Sequence, residues 1–289
     1  MVEVKYVERL GNNLFQYCFG RILAEKLGFK LKADPIPGFP NTRIEIKGHD
    51  YSSYPAQILL GDEPEKTKRQ KIDLSAILRD RTERKIVVDG YFQRYEYYKA
   101  YKEVIRNDWL LIDRPQEKQI GSDDIVVYIR RSDYIRLGYA LPFSYYEKAL
   151  KMAKEFDNIY VCTDDVNDPF ISLFNKYKPI IYHTANDPLK DFRLMISFNK
   201  IIQSASSFSW WASFLSKAKE IYTPMPLFGH WSAAYPGVDL RVDDEDRYIY
   251  LRCNERYKKS ITERVIEAKK RPLSENLEKL KNKVCTWIK

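Results

Sequence analysis

The second half of the sequence alternates short apolar runs with amphipathic segments, and this alternation most constrains the fold. Five apolar runs predict strands, at residues 125–129, 158–162, 179–182, 200–203 and 220–222. Four segments between them carry apolar side chains at helical spacing, at residues 143–156, 168–176, 189–198 and 208–218. Fully apolar strands that alternate with helices are typical of a parallel sheet covered on both faces. We therefore expect a doubly wound α/β lobe that binds a nucleotide.

The first 112 residues predict a single strand–loop–helix unit followed by less regular structure. Residues 2–7 predict a strand, residues 8–13 a turn and residues 14–27 a helix, which Gly28 ends. Residues 30–80 are rich in proline, glycine and charged residues, so we expect loops with short strands. A strand at residues 85–89 and a helix at residues 103–111 complete this half.

A charged stretch at residues 113–124 predicts a linker between two lobes. We place an N-terminal lobe at residues 1–115 and a nucleotide-binding lobe at residues 120–255. Residues 256–289 predict a basic helical tail, broken at Pro272, that packs back on the lobes.

The balance of residue types indicates a folded protein with an anionic ligand. The chain has 289 residues, of which 44% are hydrophobic and 31% charged, and this excludes a disordered or fibrous chain. A net charge of +9 favours nucleic acid, an acidic membrane surface or a phosphorylated substrate. Because lysines and arginines are dispersed along the chain, we expect no nucleic-acid partner, while peripheral membrane association stays open.

Cysteine usage and hydropathy predict a cytoplasmic protein. The four cysteines are widely spaced and form no C-x-x-C pattern, which indicates a reducing compartment and no zinc. The sequence shows neither a signal peptide nor an apolar stretch of the ~18 residues that a transmembrane helix needs.

Two adjacent arginines, Arg130 and Arg131, follow the apolar run at residues 125–129. Parallel strands end at one edge of the sheet, where ligands bind. A guanidinium group is costly to bury unless it is paired, and its planar set of donors fits a phosphate group. Successive strand residues point to opposite faces. We therefore assign Arg130 to an anionic ligand, and we expect Arg131 to form a structural ion pair with Asp133.

Two other strand ends carry polar residues suited to the same ligand. Asp164 and Asp165 follow the run at residues 158–162, where carboxylates can bind a metal, cap a helix or accept hydrogen bonds from guanine. Ser206 and Ser207 precede a predicted helix. Hydroxyl and backbone N–H groups at a helix start bind anions, although simple N-capping would also explain these serines.

The turn at residues 9–13 offers a second helix start from the other lobe. Gly11 permits a tight turn, Asn12 can cap the helix, and Arg9 can face an anion across the cleft. The acidic run at residues 243–246 contains a D-x-D pattern, which metal-dependent transferases use. Because arginines flank this run and no apolar strand precedes it, we expect a solvated loop.

Four segments resemble motifs of glycosyltransferase family 11, the α-1,2-fucosyltransferases. Residues 9–17, RLGNNLFQY, are similar to the family's RLGNQLFQY opening, and residues 89–93 match its DGYFQ segment. Residues 128–134, YIRRSDY, resemble HxRRGDY, and residues 206–211 match SSFSWW. The resemblance covers residues 5–235, with more distant similarity to α-1,6- and protein O-fucosyltransferases.

This resemblance implies a GT-B architecture, in which a cleft separates two Rossmann-like lobes. It also implies an inverting transfer of fucose from GDP-β-L-fucose to a glycan hydroxyl, in α-1,2 linkage, without a metal or another cofactor. Fixed cations and helix N-termini would stabilise the departing diphosphate instead of a metal.

The resemblance also implies roles for individual residues. Arg130 would bind the diphosphate, and Asp164 or Asp165 would bind the guanine. Ser206, Ser207 and Phe208 would contact the phosphates. Asn12, with Arg9 and Gly11, would approach the fucose and the phosphates. We expect Arg130, Asn12 and Asp133 to be the catalytic residues, and Asp89, Glu96 and Asp133 are the candidates for an acceptor base.

Three positions depart from the family pattern. Tyr128 replaces the histidine that contacts guanine in relatives, Ser132 replaces glycine and Asn13 replaces glutamine. A tyrosine can stack on the base or donate one hydrogen bond, so the donor can carry another base or sugar. The sequence is thus also compatible with another GDP-sugar as donor, with a transferase fold that has lost catalysis, or with a non-catalytic basic protein that binds glycan or nucleic acid. The acceptor can be a galactoside, a lipid-linked oligosaccharide or a protein-linked glycan.

Overall fold

The computed structural model describes residues 1–53, 57–60, 71–112, 120–182, 187–225, 238–253 and 257–270. These residues form two parallel sheets surrounded by helices. The strands are β1 (Val2–Lys5), β2 (Leu31–Lys32), β3 (Gln57–Leu60), β4 (Lys85–Asp89), β5 (Ile125–Ile129), β6 (Ile159–Thr163), β7 (Ile180–Tyr182), β8 (Lys200–Ile202), β9 (Glu220–Met225) and β10 (Tyr248–Arg252). The α-helices are α1 (Leu10–Leu27), α2 (Leu74–Arg79), α3 (Lys102–Val104), α4 (Ser132–Leu137), α5 (Phe143–Ala153), α6 (Pro188–Met195), α7 (Ser207–Leu215) and α8 (Ile261–Lys270).

Several connecting segments are also helical. A π-helical turn at Ile105–Trp109 continues α3. The 3₁₀ helices are Pro40–Arg43, Tyr95–Tyr97, Lys99–Tyr101 and Pro169–Tyr177. The predicted helix at residues 168–176 is therefore a 3₁₀ helix, which begins at Pro169 after the Asp168 cap.

The six-stranded sheet has the strand order β10-β9-β8-β5-β6-β7, and all its strand pairs are parallel. When the strands are numbered from β5 and the sheet is read from its β7 edge, the order is 3-2-1-4-5-6, which is that of dinucleotide-binding folds. The strand order reverses between β5 and β8, and ligands bind at such a reversal in open α/β sheets. The prediction of a parallel α/β sheet is therefore confirmed.

Strand β5 explains why this sheet is covered on both faces. All five of its residues are buried, and alternate residues enter different cores. Val126 and Tyr128 belong to one hydrophobic cluster, whereas Ile125, Val127 and Ile129 belong to the other. A strand with two buried faces needs a continuous apolar run, which is the pattern that identified it.

The four-stranded sheet has the order β2-β1-β4-β3 and is also parallel. Helix α1 packs on it so closely that a Cβ at Gly20 would lie 2.3 Å from a methyl carbon of Val4. The helix begins at Leu10 and ends at Gly28, which has a left-handed backbone. The predicted start at residue 14 was wrong because glycine and asparagine, which disfavour helix interiors, occupy the first turn.

One hydrophobic cluster joins the two sheets. The ring of Phe15 on α1 lies 4.7 Å from that of Trp211 and 5.1 Å from that of Trp210, both on α7. All three side chains are buried. The apolar face of the N-terminal helix therefore forms part of the same core as a helix of the six-stranded sheet.

The acidic run at residues 243–246 is a loop in which Asp243, Asp244 and Asp246 are exposed, as predicted, but ion pairs also anchor it. Asp244 accepts a hydrogen bond from the Tyr95 hydroxyl at 2.7 Å and pairs with Lys102 at 3.0 Å. Glu245 pairs with Arg106 at 2.7 Å, and only 12% of its side chain is exposed. The prediction missed this role because the cations come from a segment about 140 residues earlier. The run ties the segment after β4 to the strand β10.

Some predictions lie partly or wholly outside the described residues. Residues 113–119 of the predicted linker and the break at Pro272 belong to this group, so the lobe boundaries stay predictions. Strand β10 and helix α4 had no prediction. In the part of the chain that the structure describes, no helix has the length and apolarity that crossing a membrane requires.

Candidate active site at the carboxyl ends of both sheets

A pocket of about 410 Å³ lies where strand ends of the two sheets face each other. This volume is within the usual range for small-molecule sites, roughly 300–1,000 Å³. Ten predicted site residues line it, namely Arg9, Gly11, Asn12, Tyr128, Arg130, Asp133, Asp164, Ser206, Ser207 and Phe208. Residues from four separate parts of the sequence are thus brought together.

Asp165 is the predicted donor-binding residue that does not line this pocket. Its carboxylate accepts a hydrogen bond from the backbone N–H of Asn167 at 2.9 Å, which closes the turn after β6. The neighbouring Asp164 does line the pocket. Of the two alternatives for a ligand-binding aspartate at this strand end, the geometry thus leaves Asp164.

Arg130 is held at the pocket wall by two carboxylates. Its guanidinium lies 2.7 Å from Asp133 and 3.0 Å from Asp164, and 14% of its side chain is exposed. Asp164 is itself held in place. Its Oδ2 faces Arg130, and its Oδ1 accepts a hydrogen bond from the backbone N–H of Arg131 at 2.7 Å. Two fixed partners hold the guanidinium in one orientation before any ligand arrives, as an electrostatic site requires.

Arg131 does not pair with Asp133, so that prediction was wrong. Its side chain points to the opposite face, where it pairs with Asp168 at 3.0 Å and with Glu263 of α8 at 3.2 Å. The Tyr257 hydroxyl lies 2.7 Å from the same guanidinium, and Arg131 is only 1% exposed. The alternation of strand residues was interpreted correctly. The partner was misassigned because Asp133 lies on the ligand face, with Arg130.

The N-termini of α1 and α7 meet at the pocket. A Cβ at Gly11 would lie 2.6 Å from the backbone nitrogen of Phe208 and 2.6 Å from the hydroxyl oxygen of Ser207. Only glycine permits this approach. Each helix start carries about half a positive charge and unpaired backbone N–H groups, so the pair is suited to bind an anion through backbone groups.

We expect Gly11→Ala to separate the two helix starts. The added methyl group meets backbone atoms that cannot move aside, so the variant should lose about 1–3 kcal/mol of stability. Its affinity for GDP should fall about tenfold or more. Thermal unfolding and calorimetric titration with GDP check both effects. The control is Gly121→Ala, whose Cβ would meet nothing closer than 3.3 Å; equal GDP affinity in both variants would contradict the close approach.

Hydrogen bonds connect two of the sequence motifs, residues 9–17 and 89–93, beside this site. The side chain of Gln93, in the DGYFQ segment, donates a hydrogen bond to the side-chain oxygen of Asn12 at 2.9 Å. The buried Gln16 donates to the Gly90 carbonyl at 2.7 Å and accepts from the Val7 amide at 3.1 Å. The loop after β4 therefore orients Asn12 and fixes the loop that precedes α1.

An aromatic pair forms another part of the pocket wall. The rings of Tyr128 and Phe208 are stacked, with centroids 5.2 Å apart. Burial raises the pKa of the Tyr128 hydroxyl well above its ordinary value, so this group stays neutral. Ser206 is buried and caps α7 by accepting the backbone N–H of Ser209. The capping interpretation thus accounts for the Ser206 hydroxyl, while Ser207 occupies the first helical position.

Two carboxylates that line the pocket were missed by sequence reasoning, Asp191 and Glu8. Asp191 lies on α6 and is 6% exposed. A signal was present, because Asp191 stands one helical turn before the buried Met195, on the apolar face of the predicted helix. Glu8 belongs to the predicted turn at residues 8–13, and no pattern marks it.

The pocket lining as a whole is not positively charged. Its charged side chains are Glu8, Arg9, Arg130, Asp133, Asp164 and Asp191. The groups suited to bind an anion are therefore Arg130, Arg9 and the two helix starts. This arrangement suits a compact diphosphate better than an extended polyanion. In the described part of the chain, no group of three His, Cys, Asp or Glu residues could hold a metal ion.

Comparisons with known proteins complete these observations. The sequence profile of glycosyl transferase family 11 matches residues 85–227. Among solved structures, the chain is similar to the fucosyltransferase NodZ from Bradyrhizobium, with 14% identity and a TM-score of 0.43 over 76% of this chain and 94% of that one. NodZ α-1,6-fucosyltransferase co-crystallised with GDP gives 14% identity and a TM-score of 0.44, over 76% of this chain and 93% of that one.

No curated protein matches the chain. The matched residues of the family profile run from β4 to the end of β9. They include the aromatic pair, Arg130, Asp164 and the start of α7. On this evidence, the chain is a glycosyltransferase that belongs to glycosyl transferase family 11.

Proposed function

We propose that the chain transfers L-fucose from GDP-β-L-fucose to a hydroxyl of a glycan, with inversion, in α-1,2 linkage and without a metal. One observation carries the proposal: Arg130 and two helix N-termini converge on a single pocket beside a stacked aromatic pair. The motif resemblance supports fucose as the sugar. We further propose a GT-B arrangement, in which the four- and six-stranded sheets form the two lobes.

The cations and helix starts suit the diphosphate. Arg130 presents a planar set of donors, and Arg9, whose side chain is 68% exposed, lies 4.0 Å from Asp133 on the same side. As the bond between fucose and diphosphate breaks, negative charge grows on the leaving group. Groups held in place beforehand interact more strongly with that charge than with the ground state, so they lower the barrier.

The buried carboxylate of Asp191 favours guanine as the base. Guanine presents two neighbouring donors, the ring N–H and the exocyclic amine, and one carboxylate can accept both. Uracil presents a single ring N–H between two carbonyl oxygens, which would repel a carboxylate. Asp164 is less suited to this role because Arg130 and the Arg131 amide already occupy its oxygens. Tyr128 and Phe208 offer apolar surface to the base.

A thermal-shift series tests the nucleotide. GDP at about 100-fold excess over Kd should stabilise the protein by about 2.7 kcal/mol. UDP and CMP should stabilise it much less, and EDTA should change nothing. Asp191→Asn should lose most of the GDP effect, because an amide repels one of the guanine donors, whereas Asp165→Asn should keep it. Preference for UDP, or loss of the GDP effect with EDTA, contradicts the proposal.

A further inference from the structure

The carboxylates around the pocket differ in how firmly other groups hold them. Asp133 and Asp164 both pair with Arg130. Asp191 is buried in the wall. Glu8 is exposed at the pocket, and its carboxylate accepts a weak hydrogen bond from the Tyr91 hydroxyl at 3.5 Å. In the part of the chain that the structure describes, Glu8 forms no ion pair, unlike Asp133 and Asp164.

The other acceptor-base candidates are poorly placed or neutralised. Asp89 and Glu96 do not line the pocket. Glu96 pairs with Lys71 at 2.9 Å, and the hydrogen bond from Lys71 lowers the pKa of this carboxyl group. Asp133 lies 2.7 Å from Arg130 and 4.0 Å from Arg9. A carboxyl group with a lowered pKa, as Glu96 has, is a weaker proton acceptor.

The backbone of Glu8 is strained. Its φ is 67°, in the left-handed region that glycine and asparagine favour and glutamate does not. Contacts on both sides enforce this conformation. Gln16 accepts the amide of Val7, and the carbonyl of Arg9 accepts the backbone amides of Asn12 and Asn13. Strain that the surroundings enforce in this way tends to occur where a side chain must be held in a functional position.

Glu8 enters the pocket from the loop between β1 and α1, whereas Arg130 follows β5 of the other sheet. Both residues line the pocket. An inverting displacement needs its base across the sugar from the leaving group. A base at Glu8 therefore requires the acceptor hydroxyl to approach past this loop while Arg130 holds the diphosphate.

We propose that Glu8 is the general base of the transfer, an inference that rests on the proposed function. The acceptor oxygen attacks C1 of fucose, and the proton of its hydroxyl group moves to a carboxylate oxygen of Glu8. The bond between C1 and the phosphate oxygen breaks, and its electron pair leaves with GDP beside Arg130. Tyr91 orients the carboxylate through its hydroxyl.

A comparison of two nucleophiles tests this role. Water must lose a proton when it attacks, whereas azide is already an anion. With GDP-fucose as donor, Glu8→Gln should slow GDP release in water about 100-fold, and it should change the rate of fucosyl azide formation by less than about threefold. Glu8→Gly should behave in the same way, with a melting temperature no lower than that of the wild type, because glycine adopts this backbone without strain. The matched control is the exposed Glu103→Gln, which should match the wild type in both reactions.

Failure of the Glu8 role and failure of the proposed function give different results. Water-dependent GDP release that stays within about threefold of wild type in Glu8→Gln overturns the role of Glu8 alone. An equal loss with water and azide overturns it as well, because a residue that only shapes the pocket affects both nucleophiles. A wild-type protein that releases GDP with neither nucleophile, and that GDP does not stabilise, overturns the proposed function itself.

Discussion

Replacing Arg130 with alanine is expected to lower kcat/KM for GDP-fucose by about 10³-fold, because the variant loses the cation nearest the departing diphosphate. The loss should appear mainly in kcat, since an interaction that strengthens as charge develops contributes most in the transition state. Arg130→Lys should recover only part of the activity. Lysine restores the charge but cannot bind Asp133, Asp164 and a phosphate with one planar group.

Folding should survive this substitution. Asp164 keeps its bond from the Arg131 amide, and Asp133 is partly exposed, so neither becomes a buried isolated charge. Steady-state kinetics of GDP release measure the turnover of the variant, and circular dichroism checks its folding. The exposed Arg136→Ala, one helical turn beyond Ser132 on α4, is the control. Unchanged turnover in Arg130→Ala contradicts the assigned role, and it would favour the non-catalytic interpretation of the fold.

Replacing Arg131 with methionine should instead affect stability, lowering the free energy of unfolding by about 3–5 kcal/mol. Methionine retains most of the apolar stem that packs between Phe170 and Tyr257. The change removes the charge and leaves Asp168 and Glu263, which are 8% and 2% exposed, without their cation. Two buried carboxylates facing each other are strongly unfavourable, so α8 should detach first.

Urea denaturation measures this loss. Adding Asp168→Asn and Glu263→Gln to Arg131→Met should recover a large part of the stability, because the triple variant has no unpaired charge. The control is Lys151→Met, since its ion pair with Glu147 is exposed and such pairs contribute at most about 1 kcal/mol. An Arg131→Met effect as small as that of the control shows that the buried network does not hold α8.

The six-stranded sheet was predictable because burial alone determines its strands. Ile125–Ile129 was predicted to the residue, and the predicted runs for β6 to β9 overlap the observed strands. Strand β10 was missed because only two of its five residues are buried and it follows an acidic run. The first turn of α1 was missed because its glycine and asparagines serve the pocket, and local helix preference cannot reveal that.

The site was predictable where a strand end or a motif marked it. Arg130, Asn12 and Ser207 were found in this way. Asp191 and Glu8 were not, because their positions depend on contacts between distant segments. The partners of Arg131 were beyond sequence reasoning for the same reason, since Glu263 lies 132 residues away.

The contact of Phe15 with Trp210 and Trp211 has a consequence for how substrates enter and leave. Swinging one sheet away from the other would expose these three buried rings to water, at a cost of about 2–3 kcal/mol for each. Such an open form would be a rare state. We therefore expect donor loading and GDP release to proceed through the mouth of a pocket whose walls stay together, so that turnover depends on side chains and loops at the rim rather than on rotation of whole lobes.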